Sequence, residues 1–264
     1  MFMDPIQDPD MTESPFLIRR EKAHILELEA VPPGQKVRVC VTGPVELYIS
    51  AFGATGYTDI LYTLAESVSR YLKGAKDGGK MAVASLDEPS LGLNSNIIFS
   101  EEEIREALEI ASSPCRGMHC EVHLHSPLYA ELCAHVSGID ILGVESAAHP
   151  DYLKLIGKEV LEETGTYLRA GIARTDIFSL SAQLNDRYKV NLWEDLPRLE
   201  REITSLESPL IMKGRLDQAY AQFGDRLIAT GPDCGLGPWP SQELAGSILG
   251  NCAEAIASFR SEHP

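Results

Sequence analysis

The stretch Cys120-Glu121-Val122-His123-Leu124-His125 has the apolar, alternating pattern of a buried β-strand. Side chains two residues apart on a strand share a face, so His123 and His125 are predicted to point the same way. Two imidazoles on one face at the end of a strand can bind a metal ion. They can equally form an ordinary hydrogen-bonded pair.

Two further metal-binding residue types follow strands later in the chain. Glu145 comes directly after the apolar run 139–144, and Cys234 lies in the segment 230–235 that ends the last predicted strand. Two imidazoles, a carboxylate and a thiolate suit a zinc ion. Alternatively, His125 lies beside the metal, which would then have three protein ligands.

Strands and helices alternate along almost the whole sequence, a pattern typical of a parallel sheet covered by helices. About seven strands are recognised, at residues 22–30, 36–42, 81–86, 120–125, 139–144, 167–174 and 226–229. Polar residues follow five of them: Asp87, His125, Glu145, Asp176 and Cys234. The ends of parallel strands meet at the mouth of a barrel. The sequence therefore predicts a single (β/α)8 TIM-type barrel over 1–264, with a truncated or irregular N-terminal part and a disordered lead-in at 1–15.

Composition excludes some classes of protein. The 264 residues carry a formal charge of -16, which disfavours nucleic acid and anionic membranes as partners. The six cysteines are irregularly spaced, so a disulfide framework is not indicated and a reducing cytoplasm is expected. No apolar run approaches the roughly 20 residues of a membrane span.

Six segments of the sequence form a recognisable series. They are Thr42-Gly43-Pro44-Val45, Leu86-Asp87-Glu88-Pro89-Ser90-Leu91, His123-Leu124-His125, Val144-Glu145, the run from Gly171 to Ser179, and Asp233-Cys234-Gly235-Leu236. In this order they resemble the catalytic barrel of cobalamin-independent methionine synthase. They are more similar still to its short "core" relatives in archaea and anaerobic bacteria.

The resemblance implies a zinc methyltransferase of methionine biosynthesis. Its zinc ligands would be His123, His125, Glu145 and Cys234. Homocysteine would be the thiol that accepts the methyl group. The donor would be methylcobalamin or a protein-bound methylcorrinoid, because the chain lacks the half with which long family members handle folate. A corrinoid protein is then an expected partner.

Four other residues are expected to act at the site, and the resemblance supplies the role of one of them, Asp87. Asp87 corresponds to a ligand of the substrate amino group, and Glu88 and Phe178 are also expected to bind substrate. Asp176 is expected to have a catalytic role in orienting a ligand or the substrate amine. From the residues alone, Asp87 could instead cap a helix or form a salt bridge, and Asp176 could be a structural cap.

Four departures from the family pattern leave other functions open. His125 stands where the family has cysteine, and Phe178 stands where it has histidine. The opening strand and the following glutamate segment, which bind homocysteine, have no counterpart. A different thiol such as coenzyme M, a zinc-binding barrel subunit without catalytic activity, and a barrel of the uroporphyrinogen decarboxylase type are therefore alternatives.

Overall fold

The structure, a computed structural model, describes residues 2–94 and 97–263. Within these residues the strands are β1 (Thr12–Ser14), β2 (Leu17–Ile18), β3 (Val37–Thr42), β4 (Met81–Asp87), β5 (His119–Leu124), β6 (Ile141–Val144), β7 (Tyr167–Ala173) and β8 (Leu227–Pro232). The α-helices are α1 (Met3–Gln7), α2 (Pro44–Phe52), α3 (Thr58–Asp77), α4 (Glu101–Ser112), α5 (Ala130–Ala134), α6 (Lys158–Thr164), α7 (Ile177–Tyr188), α8 (Leu196–Leu206), α9 (Pro209–Phe223) and α10 (Gln242–Glu262). Short 3-10 helices connect several of them.

The chain divides into two compact units. The first comprises Met1–Gly143 and Glu159–Tyr167, and the second comprises Val144–Lys158 and Leu168–Pro264. The prediction of a single domain stays a prediction. Among the described residues, no helix has both the length and the apolar character needed to cross a membrane.

In the first unit, strands β3, β4, β5 and β6 neighbour one another in chain order. The pairs β3–β4 and β4–β5 are parallel, and Thr42, Asp87 and His123 are partners in register at their carboxyl ends. Helix α3 buries its apolar stripe, which includes Leu61, Leu64, Val68 and Leu72. Ser100 caps α4 in a reciprocal box with Glu103, and the residue types and spacing of this box are visible in the sequence.

In the second unit, β7 and β8 pair in parallel. Its core is built from apolar side chains of β7 and of helices α7 to α10, for example Ile172, Leu184, Ile203, Met212 and Ile248. Helices α9 and α10 pack together, so the two longest helices of this unit cover one part of the core.

Two regions differ from the sequence predictions. Residues 22–30, predicted as a strand, instead begin at the end of the 3-10 helix Arg20–Lys22 and contain the 3-10 helix Leu26–Ala30. A strand needs a hydrogen-bonding neighbour, and alternation alone cannot supply one. In the lead-in expected to be disordered, residues 2–15 contain α1 and β1, and Ile6 is fully buried. Met1 lies outside the described residues.

The predicted α/β class is confirmed. The described residues contain six strands of parallel sheet, β3 to β8, and a closed eight-stranded barrel is not confirmed.

Candidate functional site

His123 and His125, in the first unit, lie together at the end of β5. The side chain of His123 is buried, as are both of its ring nitrogens. The ring of His125 meets it edge to face, with the two centroids 5.3 Å apart. Burial lowers the pKa of His125, against the opposing effect of Glu46, and favours the neutral imidazole that binds metals. The shared face predicted from strand alternation is therefore present.

Asp87 lies beside His123 in the sheet register, at the end of β4. Its carboxylate accepts a hydrogen bond from the hydroxyl of Ser85 at 2.8 Å and lies 4.0 Å from the guanidinium of Arg38. That guanidinium also donates to both carboxylate oxygens of buried Glu121, at 2.8 and 2.9 Å. Because the side chain of Asp87 is 35% exposed, its carboxylate remains accessible. Substrate binding by Asp87 stays a prediction.

Glu88 is fully buried and serves as an anchor for α2. Its carboxylate accepts hydrogen bonds from the backbone N–H groups of Val45, at 3.0 Å, and Glu46, at 2.8 Å. These are N–H groups of the first helical turn, which have no partner within the helix. A Cβ at Gly43 would lie 2.2 Å from the carboxylate, so only glycine leaves it room. Glu88 thus binds backbone here, and contact with substrate stays a prediction.

We compare the free energies of unfolding of Glu88→Gln and the wild type. As pH rises from about 5 to about 8, we expect the difference between them to change in favour of the variant. Burial raises the pKa of Glu88 to about 8, although its two N–H partners oppose this shift. Below that pH the folded protein holds a proton that the unfolded chain has already released. The free energy of unfolding of the wild type therefore falls as pH rises, by up to about 1.4 kcal/mol per pH unit.

Glutamine does not titrate, so the variant lacks this dependence. Denaturant unfolding of both proteins at the two ends of this pH range measures the difference. A difference that stays constant, or that shrinks as pH rises, would contradict the raised pKa.

In the second unit, Glu145 and Cys234 follow different strands, and a carboxylate oxygen of Glu145 lies within 4.8 Å of the sulfur atom of Cys234. Burial raises the pKa of Glu145 to about 7, and the carboxylates of Asp233 and Asp176 add to the effect. The backbone N–H of Cys234 donates to the hydroxyl of Thr175 at 3.1 Å. Two residue types that bind zinc are therefore close together.

Asp233 positions the loop that follows Glu145. Its buried carboxylate accepts hydrogen bonds from the backbone N–H groups of Ala147 and Ala148, at 2.9 and 2.8 Å. Burial raises its pKa to about 6. A Cβ at Gly171 would lie 1.7 Å from this carboxylate, which explains the glycine there. Sequence reasoning assigned Asp233 no role. One feature of the sequence could have indicated a role, because Asp233 is an acidic residue at a strand end, directly before the predicted cysteine ligand.

The other two predicted site residues lie at the start of α7. Asp176 forms a two-pronged salt bridge with Arg174, with N–O distances of 3.0 and 2.6 Å. Phe178 is 66% exposed and stacks on Trp193, with the ring centroids 5.9 Å apart. The catalytic role of Asp176 and the substrate-binding role of Phe178 both stay predictions.

Comparison with solved structures finds proteins of similar fold. A B12-independent methionine synthase from Shewanella sp. W3-18-1, solved in complex with selenomethionine, aligns with a TM-score of 0.60 and 15% sequence identity over 93% of this chain and 67% of its own. A methyltransferase from Methanosarcina mazei aligns with a TM-score of 0.53 and 14% identity over 90% of this chain and 62% of its own.

The chain thus spans about two thirds of the length of each of these proteins. A scan against protein-family models and a search of curated proteins give no match. At such low identity the likeness concerns the fold, and it does not distinguish the short "core" branch from others. The chain is therefore similar in fold to a methionine synthase and to a methyltransferase.

Proposed function

We propose that this chain is a zinc-dependent methyltransferase that moves a methyl group from a methylcorrinoid to a thiol. Homocysteine is the proposed acceptor, and methionine would be the product. The observation that carries the proposal is the closeness of two potential zinc ligands, because a carboxylate oxygen of Glu145 lies within 4.8 Å of the sulfur atom of Cys234. The fold shared with a methionine synthase supports it.

The proposed zinc ligands are His123, His125, Glu145 and Cys234. Such a set of two histidines, a glutamate and a cysteine could hold a metal ion. Imidazole and thiolate together favour zinc over calcium or magnesium, which prefer oxygen ligands. One carboxylate and one thiolate also cancel the two charges of the ion, so the residues present fit the metal.

A bound zinc ion would lower the pKa of the acceptor thiol, which at neutral pH is otherwise mostly protonated. Side chains of the protein would bind and orient the substrate. Asp87 would bind the amino group of homocysteine, because its carboxylate is accessible. Asp176, positioned by Arg174, would orient the amine or a ligand. Methyl transfer is then a displacement for which positioning supplies much of the catalysis.

The most direct test measures metal content and thiol-dependent demethylation of methylcobalamin on the same preparation. We expect about one zinc per chain and demethylation with homocysteine that stops when a chelator removes the metal. A metal-free protein with no response to chelators would overturn the zinc assignment. A zinc-loaded protein that methylates no thiol, even with a corrinoid protein as donor, would favour a zinc-binding subunit instead.

Coenzyme M is a second candidate acceptor, because the sequence has no counterpart of the two family segments that bind the amino-acid part of homocysteine. Coenzyme M would need no such segments. Parallel assays with the two thiols decide between them, and the zinc content should be the same for both acceptors.

Replacing His125 by Cys should move the pH profile of thiol methylation to higher pH. The ligand set then carries three negative charges rather than two, which makes the site a weaker Lewis acid toward the thiol. Rates measured across a pH series, with zinc content determined for each protein, test this. If His125→Cys binds zinc and keeps the wild-type profile, His125 is not a ligand.

A further inference from the structure

The first unit contains a cleft of about 460 Å³ at the amino ends of its strands. Its lining includes Ala82 near the start of β4, His119 at the start of β5, and Asp140 directly before β6. His123 follows four residues later on β5, which is about 13 Å at the rise of a strand. The cleft is therefore separate from the histidines of the proposed zinc site, and its volume is typical of small-molecule sites.

A carboxylate orients the imidazole of His119 at this cleft. Oδ2 of Asp140 lies 2.6 Å from Nδ1 of His119, and Oδ1 accepts the backbone N–H of Cys120 at 2.7 Å. Because an ionised carboxylate only accepts hydrogen bonds, Nδ1 is the nitrogen that carries the proton. Both carboxylate oxygens are thereby engaged. The side chain of His119 is 53% exposed, so its other nitrogen, Nε2, can meet a ligand.

The guanidinium of Arg116 adds a positive charge to the same lining. Arg116 is exposed, and no carboxylate of the described residues lies within salt-bridge distance of it. Its backbone is fixed in a type II turn, with φ -52° and ψ 127° at Arg116 and φ +83° at Gly117. The N–H of Met118 closes this turn on the carbonyl of Cys115 at 2.9 Å. The ammonium of Lys76 donates to the carbonyl of Arg116 at 3.1 Å, which brings a second positive charge to the turn.

A guanidinium and an oriented imidazole on one cleft suit a phosphate group. A phosphate ester carries nearly two negative charges at neutral pH and offers three acceptor oxygens, so it can bind two separate donors at once. A carboxylate has one charge and two oxygens. The whole chain carries a formal charge of -16, so long-range attraction does not favour anions, and binding has to come from these local contacts. Ala82 and Met118 also line the cleft and leave an apolar wall for a small organic group.

We propose that this cleft binds the phosphate group of a small phosphate monoester between the guanidinium of Arg116 and Nε2 of His119. Asp140 holds the imidazole in position. The hydrogen bond at Nε2 needs one proton, which either the imidazolium or the singly protonated phosphate supplies. The site binds its ligand without making or breaking a covalent bond.

Titration of the full chain with glycerol 3-phosphate, followed by NMR of the histidine rings at constant ionic strength, tests this. We expect the ring resonances of His119, identified by their loss in His119→Gln, to shift and saturate. His135 is the internal control. Its Nδ1 also lies 2.9 Å from an oxygen atom, the carbonyl of Glu131, but it lines a different cleft. The resonances of His135 should not move.

Two arginine variants test the second contact. Arg116→Gln should weaken binding by about tenfold or more, the effect of losing a hydrogen bond between charged groups. Arg105→Gln removes another exposed arginine, which lines the cleft of His135, and should leave the dissociation constant unchanged. Equal affinities of wild type and Arg116→Gln would overturn the assignment. So would His119 resonances that do not respond to the ester, or that respond equally to acetate or chloride.

A parallel titration with inorganic phosphate distinguishes the two sources of the group. Tighter binding of glycerol 3-phosphate supports the ester. Equal affinities would still place phosphate in the cleft but would overturn the ester as its source. None of these outcomes depends on zinc or on methyl transfer.

Discussion

Replacing Cys234 by Ser is expected to lower both zinc affinity and the rate of thiol methylation by more than about 100-fold. That factor is the upper range for losing an outer-shell partner of a metal ligand, and a lost ligand should cost more. A serine hydroxyl stays protonated at neutral pH and does not replace a thiolate as a zinc ligand. Elemental analysis after dialysis against a weak chelator, together with the methylcobalamin assay, measures the two losses.

Cys40→Ser is the matched control. Cys40 is also an exposed cysteine, but it lies on β3 and is not a proposed ligand. The control should keep wild-type zinc content and activity. A Cys234→Ser protein that retains its zinc would remove Cys234 from the ligand set and would leave the proposed function without its main support.

Replacing Glu207 by Ala is expected to lower the free energy of unfolding by about 3–5 kcal/mol, the cost of breaking a buried ion pair. The carboxylate of Glu207 is 1% exposed and accepts two hydrogen bonds from the guanidinium of Arg215, at 2.5 and 2.9 Å. It also accepts the backbone N–H of Arg174 at 3.0 Å. The variant leaves a mostly buried positive charge and a backbone donor without this acceptor. Chemical denaturation monitored by circular dichroism gives the value.

The control for this prediction is an exposed ion pair in the same unit. Asp186 and Lys189 form a salt bridge of 2.6 Å in which both side chains are largely exposed. Asp186→Ala should change stability by less than about 1 kcal/mol, because solvent screens such pairs. If Glu207→Ala costs no more than Asp186→Ala, the buried ion pair does not stabilise this unit.

The sequence was sufficient where the pattern is local. Alternation located β5, and the strand period by itself places His123 and His125 on one face. The capping box at Ser100 is equally local, because its hydrogen bonds join residues three apart. The strand predicted at 22–30 shows where local pattern fails. A strand forms only if a neighbour accepts its hydrogen bonds, and no periodicity within the segment reports that neighbour.

The buried carboxylates could not be predicted for the same reason. Glu88 appeared in the sequence as a companion of Asp87, yet it binds backbone about forty residues earlier, at the start of α2. Glu207, which directly follows α8, was assigned no role from the sequence, although it neutralises Arg215. A carboxylate looks the same in a sequence whether water or a distant N–H group solvates it.

From its sequence alone, this protein could be assigned to the α/β class, with a histidine pair on one strand and candidate zinc ligands at strand ends. These features depend on the side-chain period of strands and helices, which neighbouring residues determine. Only the tertiary structure showed that Glu88, Asp233 and Glu207 are structural anchors. Burial and long-range hydrogen bonds decide those roles, and they arise only when distant segments pack together.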